Sequence, residues 1–294
     1  MVARHMASDR PSEAAFAGVS ALLFAGSTTL TIVWCTSMSA MGGMPMAGGW
    51  TMSMAWMRMP GQTWPGATAS FLGMWVVMMM AMMLPSLVAM LRRYRQAAGR
   101  AGARHLGALT AIVGVGYFFV WAVLGMAVFS LGAALAAIGM QQPALARAEP
   151  IAAGVVVLIA GALQFSAWKA HHLACCRELS ASARADVTAS YDETSPKRPP
   201  AAEAGPGHGR TLPADAGTAW RHGLRLGIHC SYCCAGPMAV LLVIGVMDLR
   251  VMAVVAAAIT VERLGPDGDR VARSIGAVVV GAGLSLIVRA AGLG

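Results

Sequence analysis

The chain has 294 residues, of which 57% are apolar and only 12% are charged, and its mean hydropathy is +0.63. This composition excludes an ordinary water-soluble enzyme, because charged residues make up about 25% of a typical soluble domain. The net charge of +9 does not indicate a nucleic-acid-binding protein, since the basic residues lie between apolar segments and form no stripe with interleaved aromatic residues. They fit better the excess of Lys and Arg in the cytoplasmic loops of membrane proteins.

Apolar segments that could cross a membrane, for which about 20 largely uncharged residues are needed, occur along the whole chain. We predict membrane-spanning helices at about residues 16–37, 69–91, 108–138, 150–169, 228–247 and 271–291. No clear small-x-small cleavage site follows the first segment, so we interpret it as a retained helix rather than a secretory signal. The predicted fold class is all-α, a polytopic transmembrane helix bundle of about six helices.

The number of helices depends on the sequence "MDLR", residues 247–250, which interrupts the fifth span. If it is a kink, residues 228–261 form one long helix and the total is six. If it is a turn, two short helices make the total seven. The second apolar run, 251–261, would span only about 16 Å as a helix, which favours six. With six helices we expect Glu262 near the external interface, and with seven near the cytoplasm.

The placement of arginine predicts the orientation of the bundle. Five arginines follow the second span, namely Arg92, Arg93, Arg95, Arg100 and Arg104. The loop before that span, residues 38–68, contains only Arg58. Because Lys and Arg are enriched in cytoplasmic loops, we expect the loop 38–68 to be external and the basic connection after the fourth span to be cytoplasmic.

The chain is accordingly divided into a short N-terminal cytoplasmic tail, residues 1–15, and a single transmembrane domain, residues 16–291. Within that domain, segment 178–219 is rich in Pro, Gly, Ala and charged residues, and we predict a disordered cytoplasmic loop there. The expected location is the bacterial inner membrane, crossed several times.

Five of the six cysteines lie in two short clusters, which is unlike a secreted disulfide framework and favours metal or redox chemistry. The sequence "HHLACC" ends the fourth span and "HCSYCC" begins the fifth, so both clusters should reach the cytoplasmic side of the membrane. We expect a helix N-terminus near Ala235, with Pro237 in its first turn, to lower the pKa of the nearby thiols.

The spacing within the clusters is typical of metal ligands. Residues four apart share a helix face, and Cys230 and Cys233 have the C-x-x-C spacing that lets two thiolates bind one ion. The predicted metal-binding residues are Cys175, Cys176, Cys230, Cys233, Cys234, His171, His172 and His229.

Three alternatives remain open for these residues. The thiols could pack as small apolar side chains while the histidines lie at the membrane interface. Cys230 and Cys233 could instead form the redox pair of a membrane thiol-disulfide oxidoreductase. In an accessory subunit, a zinc-like cluster could serve only to join the fourth and fifth helices. For the isolated Cys35, packing is the expected role.

Methionine is the second unusual feature, because 15 of the 22 methionines fall between Met38 and Met90. Thioethers suit Cu(I), which prefers soft ligands, and are poor ligands for zinc, magnesium or calcium; a Met-rich surface without metal is the alternative. In the second span, Met78 and Met82 could extend a thioether path, or they could face lipid or pack. The candidate thioethers of the external loop are Met38, Met41, Met44, Met46, Met52, Met54, Met57 and Met59.

Several blocks of the chain carry a resemblance to a known family: "MWVVMMMAMMLPS", "GYFFVWAVLG", "AGALQFSAWK", "CCR" and "HCSYCCAGPM", followed by "VIGVMDLRVMAVVAAAITVERLGP". Together, over roughly residues 70–290, they resemble the bacterial predicted metal-binding integral membrane proteins, sometimes labelled copper chaperones. The resemblance implies metal binding by Cys230, Cys233, Cys234, and Cys176 with its neighbours. Where that family has a cysteine and then a histidine before the cysteine at position 176, this chain has His172 and Cys175.

The sequence therefore predicts an integral membrane protein that handles copper, by binding, delivery or transport, with Cu(I) as the expected ion and zinc as the alternative. No G-x-S-x-G, H-E-x-x-H or phosphate-binding loop occurs, and the spans carry few carboxylates, so we expect no catalysis. The expected partners are the lipid bilayer, the metal ion and other metal-handling proteins, and not nucleic acid.

Overall fold

The computed structural model of the chain is a bundle of long helices with one small hairpin. It describes residues 10–40, 42–46, 50–58, 61–100, 105–174, 216–265 and 267–292. The helices are α1 (Arg10–Ala40), α2 (Trp64–Arg100), α3 (Leu106–Gln141), α4 (Pro143–Leu163), α5 (Ala216–Ile244), α6 (Leu249–Leu264) and α7 (Gly268–Ala290). A turn at residues 164–166 follows α4 and leads into a short helical segment, residues 167–174. The predicted all-α bundle is confirmed.

Six of the helices in the described part of the chain are long and apolar enough to cross a membrane, namely α1, α2, α3, α4, α5 and α7. The remaining helix, α6, has 16 residues and is therefore about 24 Å long, shorter than the hydrocarbon core of a bilayer at about 30 Å. Exposed apolar side chains such as Leu22 on α1 and Val115 on α3, at 75% and 61% exposure, fit a lipid-facing outer surface. The protein is thus a multi-pass membrane protein.

The long helix predicted over residues 228–261 is wrong, although the number of spans is six. A turn separates α5 from α6, and two local features produce it. Gly245 has a φ of +145°, which favours glycine. Asp248 caps α6, because its carboxylate accepts hydrogen bonds from the backbone N–H groups of Arg250 and Val251 at 2.8 and 3.2 Å.

The helix starts also differ from those predicted. The first helix begins at Arg10, within the segment assigned to an N-terminal tail, and α5 begins at Ala216 rather than near residue 228. Residues 216–219, which the sequence assigned to a disordered loop, are therefore helical. The early turns of α5 lie against α3, since a Cβ added at Gly223 would clash with the backbone oxygen of Val113. Small residues of this kind let membrane helices approach closely.

The Met-rich loop is a short antiparallel hairpin in the part that the structure describes. Strand β1 (Met44–Pro45) pairs with β2 (Thr51–Met52), and a 3₁₀ turn, Met54–Trp56, follows. The indole N–H of Trp50 donates to the backbone oxygen of Ala146 at 2.8 Å. That oxygen lacks a helical partner because Pro150, four residues later, has no N–H. The hairpin is therefore attached to α4 at the carbonyl that this proline leaves free.

The side of α2 that faces the bundle interior is lined with sulfur. Its methionines Met78, Met79, Met82 and Met83 are all between 0 and 3% exposed. They lie in one apolar cluster with aromatic residues that include Trp75, whose indole N–H donates to the backbone oxygen of Trp121 at 2.9 Å. The possibility that Met78 and Met82 face lipid is thereby excluded.

Candidate functional site

The three cysteines of α5 lie deep inside the bundle. Cys230, Cys233 and Cys234 are 0 to 1% exposed. Cys230 is the midpoint of the helix, about 21 Å from either end at 1.5 Å per residue. The predicted helix N-terminus near Ala235 is therefore wrong, and Pro237 lies inside a continuous helix rather than in its first turn. The positive end of a helix dipole cannot act on these thiols, because that effect is confined to the first turn.

Sulfur atoms from α2 and α5 come together beside Cys230. Its Sγ lies 3.9 Å from Sγ of Cys234 and 4.0 Å from Sδ of Met83. The two cysteines share a helix face because they are four residues apart, whereas Met83 is brought in by the packing of α2. We call Met83, Cys230 and Cys234 the inner sulfur cluster.

Two polar side chains from other helices adjoin the inner sulfur cluster. The hydroxyl of Tyr117, on α3, lies 2.8 Å from Sγ of Cys230, and Tyr117 is fully buried. Close approach of α5 to α3 makes this contact possible, since a Cβ added at Gly227 would lie 2.9 Å from the backbone oxygen of Tyr117. The phenol therefore meets the sulfur without solvent between them.

A buried cation completes the surroundings of the inner sulfur cluster. Arg263, on α6, is 6% exposed and donates a hydrogen bond from Nη1 to the hydroxyl of Ser86 at 3.2 Å. Its positive charge interacts with Tyr117 and with all three cysteines of α5, namely Cys230, Cys233 and Cys234. Inside a protein such a charge is weakly screened and offsets negative charge that forms beside it.

Cys233 adjoins both groups of predicted ligands, because its thiol interacts with that of Cys234 and it packs against Leu173 of the segment 167–174 and against Met90. The ring of His172 lies 5.4 Å from the ring of His171 and 6.1 Å from that of His229, measured between centroids. We call His171, His172 and His229 the outer imidazole cluster.

The outer imidazole cluster has nitrogen atoms that could bind a metal ion. The Nδ1 atoms of His172 and His229 are buried and accept or donate no hydrogen bond among the described residues. Burial, followed by the neighbouring His171 and His229, lowers the pKa of His172, which favours the neutral imidazole that binds metals. Cys175 and Cys176 follow this segment directly and lie outside the described residues.

A buried ion pair joins the segment 167–174 to α5 and α6. Pro237 lacks an N–H, so the backbone oxygen of Cys233, four residues earlier, has no helical partner. Lys169 supplies one, because its Nζ donates to that oxygen at 2.6 Å and also pairs with the carboxylate of Glu262 at 2.8 Å. Gln164 donates to the other carboxylate oxygen at 3.4 Å.

The position of Glu262 corrects one expectation of the six-helix arrangement. Glu262 lies beside Lys169 at the end of the bundle that carries the outer imidazole cluster, and not at the opposite interface. The signal was present in the sequence: Lys169 and Glu262 are rare charges next to apolar segments, and such charges are normally paired.

The predicted metal ligands within the described residues extend from the inner sulfur cluster, through Cys233 beside Cys234, to the outer imidazole cluster. Within the described ranges, no set of three or more His, Cys, Asp or Glu side chains is arranged to hold a metal ion. Cys230 and Cys234 are predicted from the sequence, but the approach of Met83, Tyr117 and Arg263 to them is not. Only Met83 carried a signal, since it continues the four-residue spacing from Met79.

The candidate thioethers of the loop are only partly within the described residues. Met46 and Met52 converge on α3, where a Cβ added at Gly139 would lie 3.7 and 4.0 Å from their methyl groups. Met52 is buried, and Met44 is exposed. Met38 lies near the end of α1, and Met57 follows the 3₁₀ turn. Met41, Met59 and the side chain of Met54 lie outside the described residues.

The chain is similar to a known protein family. A family model described as PpoB2, copper chaperone, matches residues 72–286, which is most of the chain. No curated protein and no solved structure matches. The matched range includes the inner sulfur cluster, the outer imidazole cluster, and the Lys169–Glu262 pair.

Proposed function

The chain belongs to the PpoB2 copper chaperone family, and on that basis we propose that it binds Cu(I) between its membrane helices, at Cys230 and Cys234. The observation that carries this proposal is the 3.9 Å separation of the two Sγ atoms inside the bundle. Two thiolates that each bind one ion at about 2.3 Å, with an angle of about 120° between the bonds, lie about 4 Å apart. The two thiols therefore have the separation that a shared ion needs.

The chemistry of the surroundings supports copper in its reduced state. Soft thiolates favour Cu(I), and both thiols must lose their protons on binding. Two thiolates and one Cu(I) carry a net charge of −1. Arg263 supplies a compensating positive charge beside both sulfurs, which reduces the cost of placing that complex in a weakly polar interior.

The outer imidazole cluster and Cys233 form the second group in this proposal, together with Cys175 and Cys176. A chaperone must release its ion as well as bind it. Residues 229–234 of α5 contribute to both groups, so an ion has a short path between a thiolate site and a site that includes imidazoles. Zinc, the alternative ion, also binds Cys and His side chains, so this mixed group is where it would be accepted.

The proposed orientation follows from the arginine distribution. We place the Met-rich hairpin on the external side of a bacterial inner membrane, where its thioethers collect Cu(I), and the outer imidazole cluster on the cytoplasmic side. The thiol-redox alternative pairs Cys230 with Cys233, whereas the thiol that contacts Cys230, at 3.9 Å, is that of Cys234.

The test is copper binding by the full chain, purified in detergent under anaerobic, reducing conditions. We expect about one tightly bound Cu(I) per chain that withstands competition by a Cu(I) chelator. The double variant Cys230→Ser/Cys234→Ser should lose that ion. Cys35→Ser is the matched control, because Cys35 is also a buried thiol but lies against Met247. Equal retention of copper by the double variant and the control would contradict the proposal.

A further inference from the structure

We infer that the thioether of Met83 is the third ligand of the Cu(I) ion held by Cys230 and Cys234; this inference rests on the proposed function. Met83 is 0% exposed, and its Sδ lies 4.0 Å from Sγ of Cys230. Since α2 carries Met83 and α5 carries both cysteines, the ion would join two membrane helices that are far apart in the sequence.

The two sulfur separations that meet at Cys230 match trigonal coordination. Three sulfur ligands at about 2.3 Å from one ion and about 120° apart form a triangle with edges of about 4.0 Å. The two edges that meet at Cys230 measure 3.9 and 4.0 Å. Sγ of Cys230 therefore has, from each of the other two sulfurs, the separation that a shared ion needs.

The ligand type gives the site its selectivity. A thioether is soft and neutral, so it favours Cu(I) and is a poor ligand for zinc. It also leaves the net charge of the complex at −1, the charge that Arg263 can balance. A third thiolate in its place would add a further negative charge to the bundle interior, where uncompensated charge is costly.

Ser86 forms hydrogen bonds with both the backbone of Met83 and the side chain of Arg263. The hydroxyl of Ser86 donates to the backbone oxygen of Met83 at 3.0 Å and accepts from Nη1 of Arg263 at 3.2 Å. Ser86 is 0% exposed. One buried hydroxyl thus links the thioether ligand on α2 to the compensating charge on α6.

Met79 provides a matched control for Met83. Both side chains lie on α2, both are 0% exposed, and both belong to the same apolar cluster. Replacing either by leucine conserves most of the buried volume, and such exchanges cost less than about 1.5 kcal/mol. A purely packing role predicts similar behaviour for the two variants, whereas a ligand role separates them.

The experiment uses the full chain produced with selenomethionine and loaded with one equivalent of Cu(I). X-ray absorption at the copper edge should show a copper–selenium neighbour in the parent chain and in Met79→Leu, but not in Met83→Leu. Competition with a chelator should show a loss of Cu(I) affinity of at least about tenfold in Met83→Leu alone. Size-exclusion profiles in detergent should show that both variants are folded.

The outcomes separate this inference from the proposed function. A copper–selenium neighbour that persists in Met83→Leu, or unchanged Cu(I) affinity of that variant, would overturn the role of Met83 and leave binding by the two cysteines intact. Retention of copper by Cys230→Ser/Cys234→Ser would instead remove the proposed function, and the inference with it.

Discussion

Cys230 is contacted by side chains from two helices other than its own, since Met83 belongs to α2 and Tyr117 to α3. Its partner on the same helix, Cys234, follows from the sequence alone, because residues four apart share a helix face. The other two contacts depend on how α2 and α3 pack against α5. At the scale of single residues, the spacing of the cysteines was thus enough to predict a pair but not the third sulfur.

The guanidinium of Arg263 leads to a second prediction about a single residue, which concerns Cu(I) affinity. Replacing it by glutamine removes the positive charge near the two thiols, so the complex of two thiolates and Cu(I) would lack its counter-charge. We expect Arg263→Gln to lower Cu(I) affinity by at least about tenfold, which corresponds to about 1.4 kcal/mol, in a chelator competition assay.

Arg263→Lys is the matched control for that variant, because it keeps the charge and changes only the shape of the donor group. It should retain more of the affinity than Arg263→Gln. Equal affinities for Arg263→Gln and the parent chain would show that the buried charge does not contribute to copper binding.

The helices illustrate which parts of the fold can be read from hydropathy. Long apolar runs identified all six spans, because a bilayer requires apolar length regardless of tertiary contacts. The start of α5 was misplaced because Arg221 and Arg225 resemble loop residues. Those residues are nonetheless helical. Gly223, which lies between them, and Gly227, which follows them, let the helix pack closely against α3.

The break between α5 and α6 depends on local backbone chemistry instead. Gly245 and Asp248 are a turn residue and a helix cap, and both signals are visible in the sequence. The short apolar run 251–261 nevertheless favours a kink over a turn, because a helix of that length cannot span a membrane by itself. A short helix inside the bundle was not among the alternatives considered.

The Lys169–Glu262 pair, which joins the segment 167–174 to α6, leads to a prediction about the stability of the protein. Both side chains are almost fully buried, so removing one partner leaves an uncompensated charge. We expect Glu262→Gln to destabilise the protein by about 3–5 kcal/mol, measured by denaturant unfolding in detergent micelles.

A double variant, Lys169→Met/Glu262→Met, is the control, because replacing both charges by apolar groups is often neutral. It should be more stable than either single variant. If Glu262→Gln and the parent chain unfold at the same denaturant concentration, the ion pair does not hold the segment 167–174 in place.

The described helices present apolar side chains on the outer surface of the bundle, and α2 and α5 place sulfur atoms in its interior. The orientation of the bundle in the membrane can be tested directly. The Met-rich hairpin precedes α2, and Arg93 lies near the other end of that helix, about 43 Å from its start at 1.5 Å per residue. That distance exceeds the thickness of the hydrocarbon core, about 30 Å. The two ends of α2 therefore lie on opposite sides of the membrane.

We predict that a membrane-impermeant maleimide labels Thr51→Cys in intact spheroplasts, and labels Arg93→Cys only after lysis. Both positions are exposed. The background should carry serine at Cys175 and Cys176, while the four cysteines of the described helices are buried. The reverse labelling pattern would place the Met-rich hairpin in the cytoplasm.

The short helix α6 carries Glu262 and Arg263 as consecutive residues, and their side chains reach different groups. Glu262 binds Lys169, which holds the segment leading to Cys175, whereas Arg263 acts on the buried thiols. A displacement of α6 along its axis shifts both contacts at once. One rigid turn of helix thus contacts both the segment 167–174 and the surroundings of the buried thiols.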